Sequence, residues 1–183
     1  MSPEVKGSLP EIVKNEHGLY EGNLIYYFRV VFNHAQNLRN PYHNFRHMCH
    51  VLYLCYKACV FYSGFEPKKM NPREMRNLLI SALFHDFDHT GKGGSKEYPD
   101  SINISRAIAG IAIHILPEDN DYLVDIINLI KTTEFPYTVP AEKVNLLGQV
   151  LREADLSQAL SVAWMQQVVF GLSEEWGNRP WRF

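Results

Sequence analysis

Apolar residues recur at helical spacing through nearly all of the 183-residue chain, while runs of strict alternation bounded by turn signals are scarce. The pattern predicts an all-α fold. Leu24, Tyr27, Phe28, Val31 and Phe32 form one stripe over residues 22–36, and Asn40-Pro41 ends that helix because the residue before a proline is pushed out of the α region. A second helix, from near Tyr42, carries Met48, Val51, Leu52, Cys55, Ala58, Cys59 and Tyr62 on one face. It is expected to stop at Ser63-Gly64, with the glycine as a left-handed cap. The next start is marked by Asn71 as N-cap, Pro72 at the first helical position and Glu74 in the first turn. Met75, Leu78, Leu79, Ala82 and Leu83 follow as its inner face, and the helix runs into His85-Asp86.

Beyond the loop Gly91-Lys92-Gly93-Gly94-Ser95, Ser101 is expected to cap a helix with Ile104, Ile108, Ile111, Ala112 and Ile115 inside, ended by Pro117. Three more helices are predicted: one on Tyr122, Leu123, Ile126, Ile127 and Ile130, one on Val144, Leu147, Val150, Leu151 and Ala154, and one on Leu160, Ala163, Trp164 and Val168. No repeat or linker divides the chain, so one domain is expected over residues 1–183, with a tail at 177–183 that stops as though the chain once continued.

Composition narrows the function classes. A hydrophobic fraction of 46% with 21% charged residues is that of a soluble folded domain. Net charge is -2, and the basic residues are scattered, which argues against nucleic acid as a partner. The chain shows neither a leader-like apolar segment nor a run long enough to span a bilayer, so a cytoplasmic location without a membrane partner is expected. Cys49, Cys55 and Cys59 lack C-x-x-C spacing and read as buried apolar thiols in a reducing compartment.

Of the 8 histidines, most fall in two short segments. In Tyr42-His43-Asn44-Phe45-Arg46-His47-Met48-Cys49-His50, a helix would put positions 43, 47 and 50 on one face. In Leu83-Phe84-His85-Asp86-Phe87-Asp88-His89, adjacent His85 and Asp86 close an apolar helix and can reach one point if the backbone turns there. Later, Asp155 lies beside Leu151 and Ala154 on the inward side of its helix, where a carboxylate needs a partner. A cation held by His47, His85 and Asp86 would supply it, giving a two-His, two-Asp set with open positions for water and substrate. A single His pair at this spacing is more often coincidence than ligation; three segments together, in a chain expected to bury no other charge, point to a metal site.

The strings Tyr42-His43-Asn44-Phe45-Arg46-His47, His85-Asp86-Phe87-Asp88-His89-Thr90-Gly91 and Ala154-Asp155-Leu156-Ser157 resemble the H-N-x-x-H, H-D-x-D-H-x-G and A-D-L-S motifs of class I cyclic nucleotide phosphodiesterases, in the same order and at similar spacing. Leu129-Ile130-Lys131-Thr132-Thr133-Glu134 is similar to that family's L-A-T-D-M helix, and residues 164–177 to its W-x-x-x-x-x-E-F segment. The resemblance implies a compact multi-helix HD-domain bundle around a metal site, and a metal-dependent phosphohydrolase acting on a small phosphate ester, foremost a 3',5'-cyclic nucleotide. It further implies that His47, His85, Asp86 and Asp155 hold a first ion, usually zinc, while Asp86 bridges to a second, magnesium or manganese. A metal-bridging hydroxide would attack phosphorus, His43 would protonate the leaving group, and His89 would orient the hydroxide or a ligand from behind.

Several positions depart from the family pattern. His50 stands where an aspartate is usual and is expected to be structural; the loop after Gly91 is short, and Ile104-Ser105-Arg106-Ala107 replaces the E-N-H-H string. The family's purine-selecting glutamine and aromatic clamp lie beyond A-D-L-S, past Phe183, and Gln166 and Gln167 come too early to replace them. Either the chain is truncated or compact, or its substrate is not a cyclic nucleotide. Three alternatives stay open: an HD hydrolase of nucleoside phosphates, a non-catalytic regulatory domain retaining the metal site, and a di-iron oxygenase, which needs additional histidines where only His114 is available. Oligomeric state is not legible.

Overall fold

The computed structural model describes residues 10–93, 95–160 and 165–175. Among these residues all regular structure is helical: α1 (Glu11–Lys14), α2 (Ile25–Ala35), α3 (Phe45–Tyr62), α4 (Pro72–Phe84), α5 (Ser101–His114), α6 (Leu123–Lys131), α7 (Leu146–Leu156) and α8 (Ser173–Glu175). Short 3-10 turns join several of them, and a π-helical segment, Met165–Leu172, leads into α8. The all-α reading of the sequence is the observed fold.

The start of α4 follows its sequence signature. The Asn71 side chain accepts from the Glu74 N–H, the Glu74 carboxylate accepts from the Asn71 N–H, and Pro72 sits where its missing N–H costs nothing. The periodicity understates this helix, because every residue from Met75 to Phe84 is buried. Helices α2, α3, α5, α6 and α7 all pack on it, so α4 is the central post of the bundle. A helix covered on all sides must bury its polar positions too.

Arg76 shows how that is tolerated, and it corrects the expectation of no buried charge away from the metal segments. Its guanidinium forms a bidentate pair with Asp119, at 2.7 Å from Nε to Oδ1 and 2.7 Å from Nη2 to Oδ2. Arg73 and the Tyr27 hydroxyl donate to the same carboxylate, at 2.6 and 2.7 Å. Tyr27 Oη in turn accepts from the Leu116 N–H at 3.0 Å. The network ties α2 and α4 to the turn Pro117–Tyr122, and the bidentate bonds with further donors on the Asp119 carboxylate are what make the buried Arg76–Asp119 pair bearable.

Other expectations shift in detail. Phe32 is exposed and rests edge-on against Phe45. Helix α3 begins at Phe45 rather than near Tyr42, and it ends through Ser63 in right-handed geometry without a left-handed Gly64. Ser101 is the first residue of α5 and not its cap, and Ala112 faces solvent while Ala107 and Gly110 face the core. Gly110 is the close-approach point, since a Cβ there would lie 2.2 Å from the Phe87 ring. Leu160 is exposed, and Ala163 and Trp164 lie outside the described residues. Cys55 and Cys59 are buried as expected, Cys49 partly so, and all three are free.

Candidate active site

Three helix termini converge at one end of α4. The Asn44 side chain caps α3 by accepting from the Arg46 and His47 N–H groups at 3.0 and 3.2 Å, which fixes His47 in the first turn. After Phe84 the backbone keeps turning, with Phe87 N–H bonded to Phe84 O and His89 N–H to Asp86 O. Asp88 then takes φ 61°, a left-handed conformation that aspartate tolerates better than most residues. Its carboxylate is held by His34 at 2.8 Å and by Arg106 at 2.5 Å. This reversal lets Asp86 and His89 look into the same space. Asp155 arrives from the last turn of α7, behind the buried Leu151 and Ala154.

One ligand atom from each of His47, His85, Asp86 and Asp155 lies within 4.8 Å of the others. His47 Nε2 is 3.0 Å from Asp155 Oδ1, 3.2 Å from Asp86 Oδ2 and 3.3 Å from His85 Nε2. His85 Nε2 is 3.2 Å from Asp86 Oδ2 and 3.5 Å from Asp155 Oδ1. Ligands about 2.1 Å from a common ion would be separated by about 3.0 Å at octahedral and about 3.4 Å at tetrahedral angles, so these spacings suit one cation. His85 Nδ1 donates to the Ala82 carbonyl at 2.9 Å, which leaves the Nε2 lone pair aimed inward. Among the described residues Asp86 Oδ2 is buried and accepts no well-formed hydrogen bond despite its imidazole neighbours. A buried carboxylate oxygen without a donor is the expected mark of a cation ligand.

The electrostatics agree with the donor set. Burial alone would lower the pKa of His47, but Asp155 and Asp86 lift it to about 9. Burial likewise opposes protonation of His85, and the same two carboxylates drive its pKa well up. The imidazoles hold Asp86 and Asp155 well below the usual carboxylate range, against the opposing effect of burial. Paired carboxylates that draw protons onto buried imidazoles would equally draw a divalent ion.

A second group brings His43, Asp86 and His89 together. His43 precedes the Asn44 cap, so it does not share a helical face with His47 as the spacing suggested; the turn before α3 delivers it instead. His50 belongs to neither group. The His43 and His89 rings stack at 3.7 Å, and His89 Nδ1 accepts the Gly91 N–H at 3.0 Å. Its other nitrogen therefore carries the hydrogen. Burial and the nearby His43 push the His89 pKa down to about 4, so it is neutral at ordinary pH.

Glu175 is the functional residue that periodicity missed. One carboxylate oxygen accepts from the Tyr42 and His43 N–H groups at 2.5 and 2.8 Å, and the other accepts from His43 Nδ1 at 2.5 Å. Burial would raise its pKa, but these donors, His43 first, bring it below the usual value. The only sequence signal was the W-x-x-x-x-x-E-F likeness, which marked the segment without singling out this carboxylate. Asp100 was missed as well. It faces the same cavity, 4.0 Å from His89 Nε2, and is tied to Asn103 at 3.0 Å.

His43, Asp86, His89 and Asp155 open together on a cavity of about 200 Å³ that Phe135 and Tyr137 also line. A hydrogen-bonded His–Glu pair beside a His2Asp2 cluster can deliver a proton to a group bound against a cation. Among the described residues no helix is long and apolar enough to cross a membrane. Residues 42–98 match the family model of 3'5'-cyclic nucleotide phosphodiesterase, a stretch that includes His43, His47, His85, Asp86 and His89 and stops before Asp155 and Glu175. No curated protein and no solved structure matches the chain. Over residues 42–98 the chain resembles the catalytic core of the class I cyclic nucleotide phosphodiesterases, a hydrolase family, which supports its being an enzyme.

Proposed function

We propose that this chain is a metal-dependent phosphodiesterase whose substrate is a nucleotide phosphoester, with 3',5'-cyclic nucleotides the first class to test. The observation that carries the reading is that the His43–Glu175 pair and the His47, His85, Asp86, Asp155 cluster share one cavity. The four-residue cluster would hold a first divalent ion, zinc by family habit, and Asp86, common to both groups, would reach toward a second, magnesium or manganese. Such ions supply an activated water and neutralise charge on phosphoryl oxygens when bound.

The rest of the chemistry belongs to the chain's own side chains. Glu175 takes the Nδ1 hydrogen of His43, which leaves Nε2 to hand its proton to the departing alkoxide. The charge of Glu175 supports the imidazolium before transfer, and its two backbone bonds keep the ring from swinging away. His89, with Nδ1 occupied by Gly91, presents an N–H donor that can orient the attacking water or a phosphoryl oxygen.

The test is metal analysis of the purified protein, with hydrolysis of cyclic AMP, cyclic GMP, bis-p-nitrophenyl phosphate and nucleoside monophosphates in added manganese. Phosphomonoester release from the diesters, lost on the cyclic nucleotides in His43→Ala with metal content unchanged, is expected. Attack on monophosphates alone would move the reading to a nucleoside phosphate hydrolase. Bound metal without turnover on any substrate would overturn it in favour of a regulatory domain.

A further inference from the structure

Part of the cavity lining takes no share in the proton and metal chemistry. It is built by the segment between α6 and α7, where Phe135 and Tyr137 meet edge to face at 5.7 Å and 82°. Phe135 is 47% exposed, yet its backbone is not loose. Its N–H donates to Asp100 Oδ2 at 2.8 Å. The buried Arg152 pins both ends of the arm, through Thr132 O at 2.5 Å and Val139 O at 2.8 Å. The Arg152 guanidinium also lies over the Tyr137 ring, 4.3 Å from its centre. Ile104, Leu156 and Leu172 line the same cavity, and Leu156 is likewise 47% exposed.

A solvent-facing ring held on a braced arm beside a polar site keeps its shape at a cost unless something covers it. The same cavity is lined by His43, Asp86 and Asp155, groups suited to a phosphoryl centre. An occupant therefore needs a charged end and a flat apolar end. We infer that Phe135, backed by Tyr137, is the stacking platform for the planar aromatic base of a nucleotide, and so the residue that separates nucleotides from base-free sugar phosphates. The inference rests on the phosphoester reading for what the charged end is.

The experiment is titration calorimetry of the manganese-loaded full chain with adenosine 5'-monophosphate and, separately, ribose 5-phosphate. Stacking of one base is worth about 5- to 150-fold in affinity, so the nucleotide should bind tighter by a factor in that range. Phe135→Ala should erase most of that ratio by weakening the nucleotide alone, Phe135→Tyr should keep it, and Phe135→Leu should lose most of it because the flat face is gone. Equal affinity for the two ligands, no binding of either, or a ratio unmoved by Phe135→Ala would overturn the platform. A preference lost in Phe135→Ala in a protein that hydrolyses nothing would leave the platform standing and remove the hydrolase reading. Turnover with an unmoved ratio would do the reverse.

Discussion

Replacing Glu175 with glutamine separates the acid from the rest of the site. The new side chain is isosteric, and its carbonyl can still accept from the Tyr42 and His43 N–H groups that Oε1 now serves at 2.5 and 2.8 Å. Its amide nitrogen then faces His43 Nδ1, where the carboxylate accepted at 2.5 Å. Two donors cannot share that contact, so the ring must place its hydrogen on the other nitrogen, and the charge that supported the imidazolium is gone. A charge-assisted hydrogen bond is worth about 1.5–3 kcal/mol, so Glu175→Gln should slow cyclic AMP turnover by about 10- to 150-fold, while His43→Ala, which removes the positioned acid itself, should cost about 10²–10⁴-fold. The assay compares two leaving groups. An alkoxide needs the proton, whereas p-nitrophenolate departs without help, so Glu175→Gln and His43→Ala should depress cyclic AMP hydrolysis far more than bis-p-nitrophenyl phosphate hydrolysis, with metal content unchanged. Equal losses on both substrates, or an unaltered rate on cyclic AMP, would refute the role of the pair.

The metal cluster, the buried ion pair and the α5 contact each give a further expectation. Chelation should abolish turnover, added manganese should restore it, and saturating ion at about 100 times its Kd should stabilise the fold by about 2.7 kcal/mol in thermal melts; His47→Ala or Asp155→Ala should erase that shift. Asp119→Ala strands the Arg76 guanidinium in the core and should cost about 3–5 kcal/mol in urea unfolding. Burial opposes ionisation of Asp119, but Arg76, Tyr27 and Arg73 hold its pKa below the ordinary value. Its stabilising effect is thus complete above the unfolded value of about 3.9 and is lost as pH falls through the depressed one, so acid titration of stability should be shallower in the variant. Gly110→Ala gains helix propensity but drives a methyl into the Phe87 ring at 2.2 Å, and should lose about 1–3 kcal/mol and slow turnover by shifting the turn that carries Asp86 and His89.

What the chain reveals before folding is set by range. Helix identity and the buried faces of α3, α6 and α7 are local, and a 3.6-residue period shows them. The cluster of His47, His85, Asp86 and Asp155 was legible as a candidate ligand set because each member sits in a short motif whose residue types have few other uses together, and the fold brings the four within 4.8 Å of one another. Glu175 and Arg76–Asp119 were not, because each partner is ordinary in its own neighbourhood and the pairing spans 132 and 43 positions. For His43 the spacing suggested a shared helical face, whereas α3 starts only after the Asn44 cap and the preceding turn brings His43 to Glu175.

The complete enclosure of α4 also governs how the site can come apart. Amides of a fully buried helical stretch exchange mainly through large openings of the bundle, so residues 75–84, which lead into His85, should be among the slowest to exchange. Glu175 rides on a three-residue helix that packs on the π-helical segment before it. Exchange measurements should therefore find two lifetimes in the candidate site, with the half beside α4 outlasting the half that holds Glu175 against His43, and under the proposed function a protein partway through unfolding would keep its ion after it had lost its proton donor.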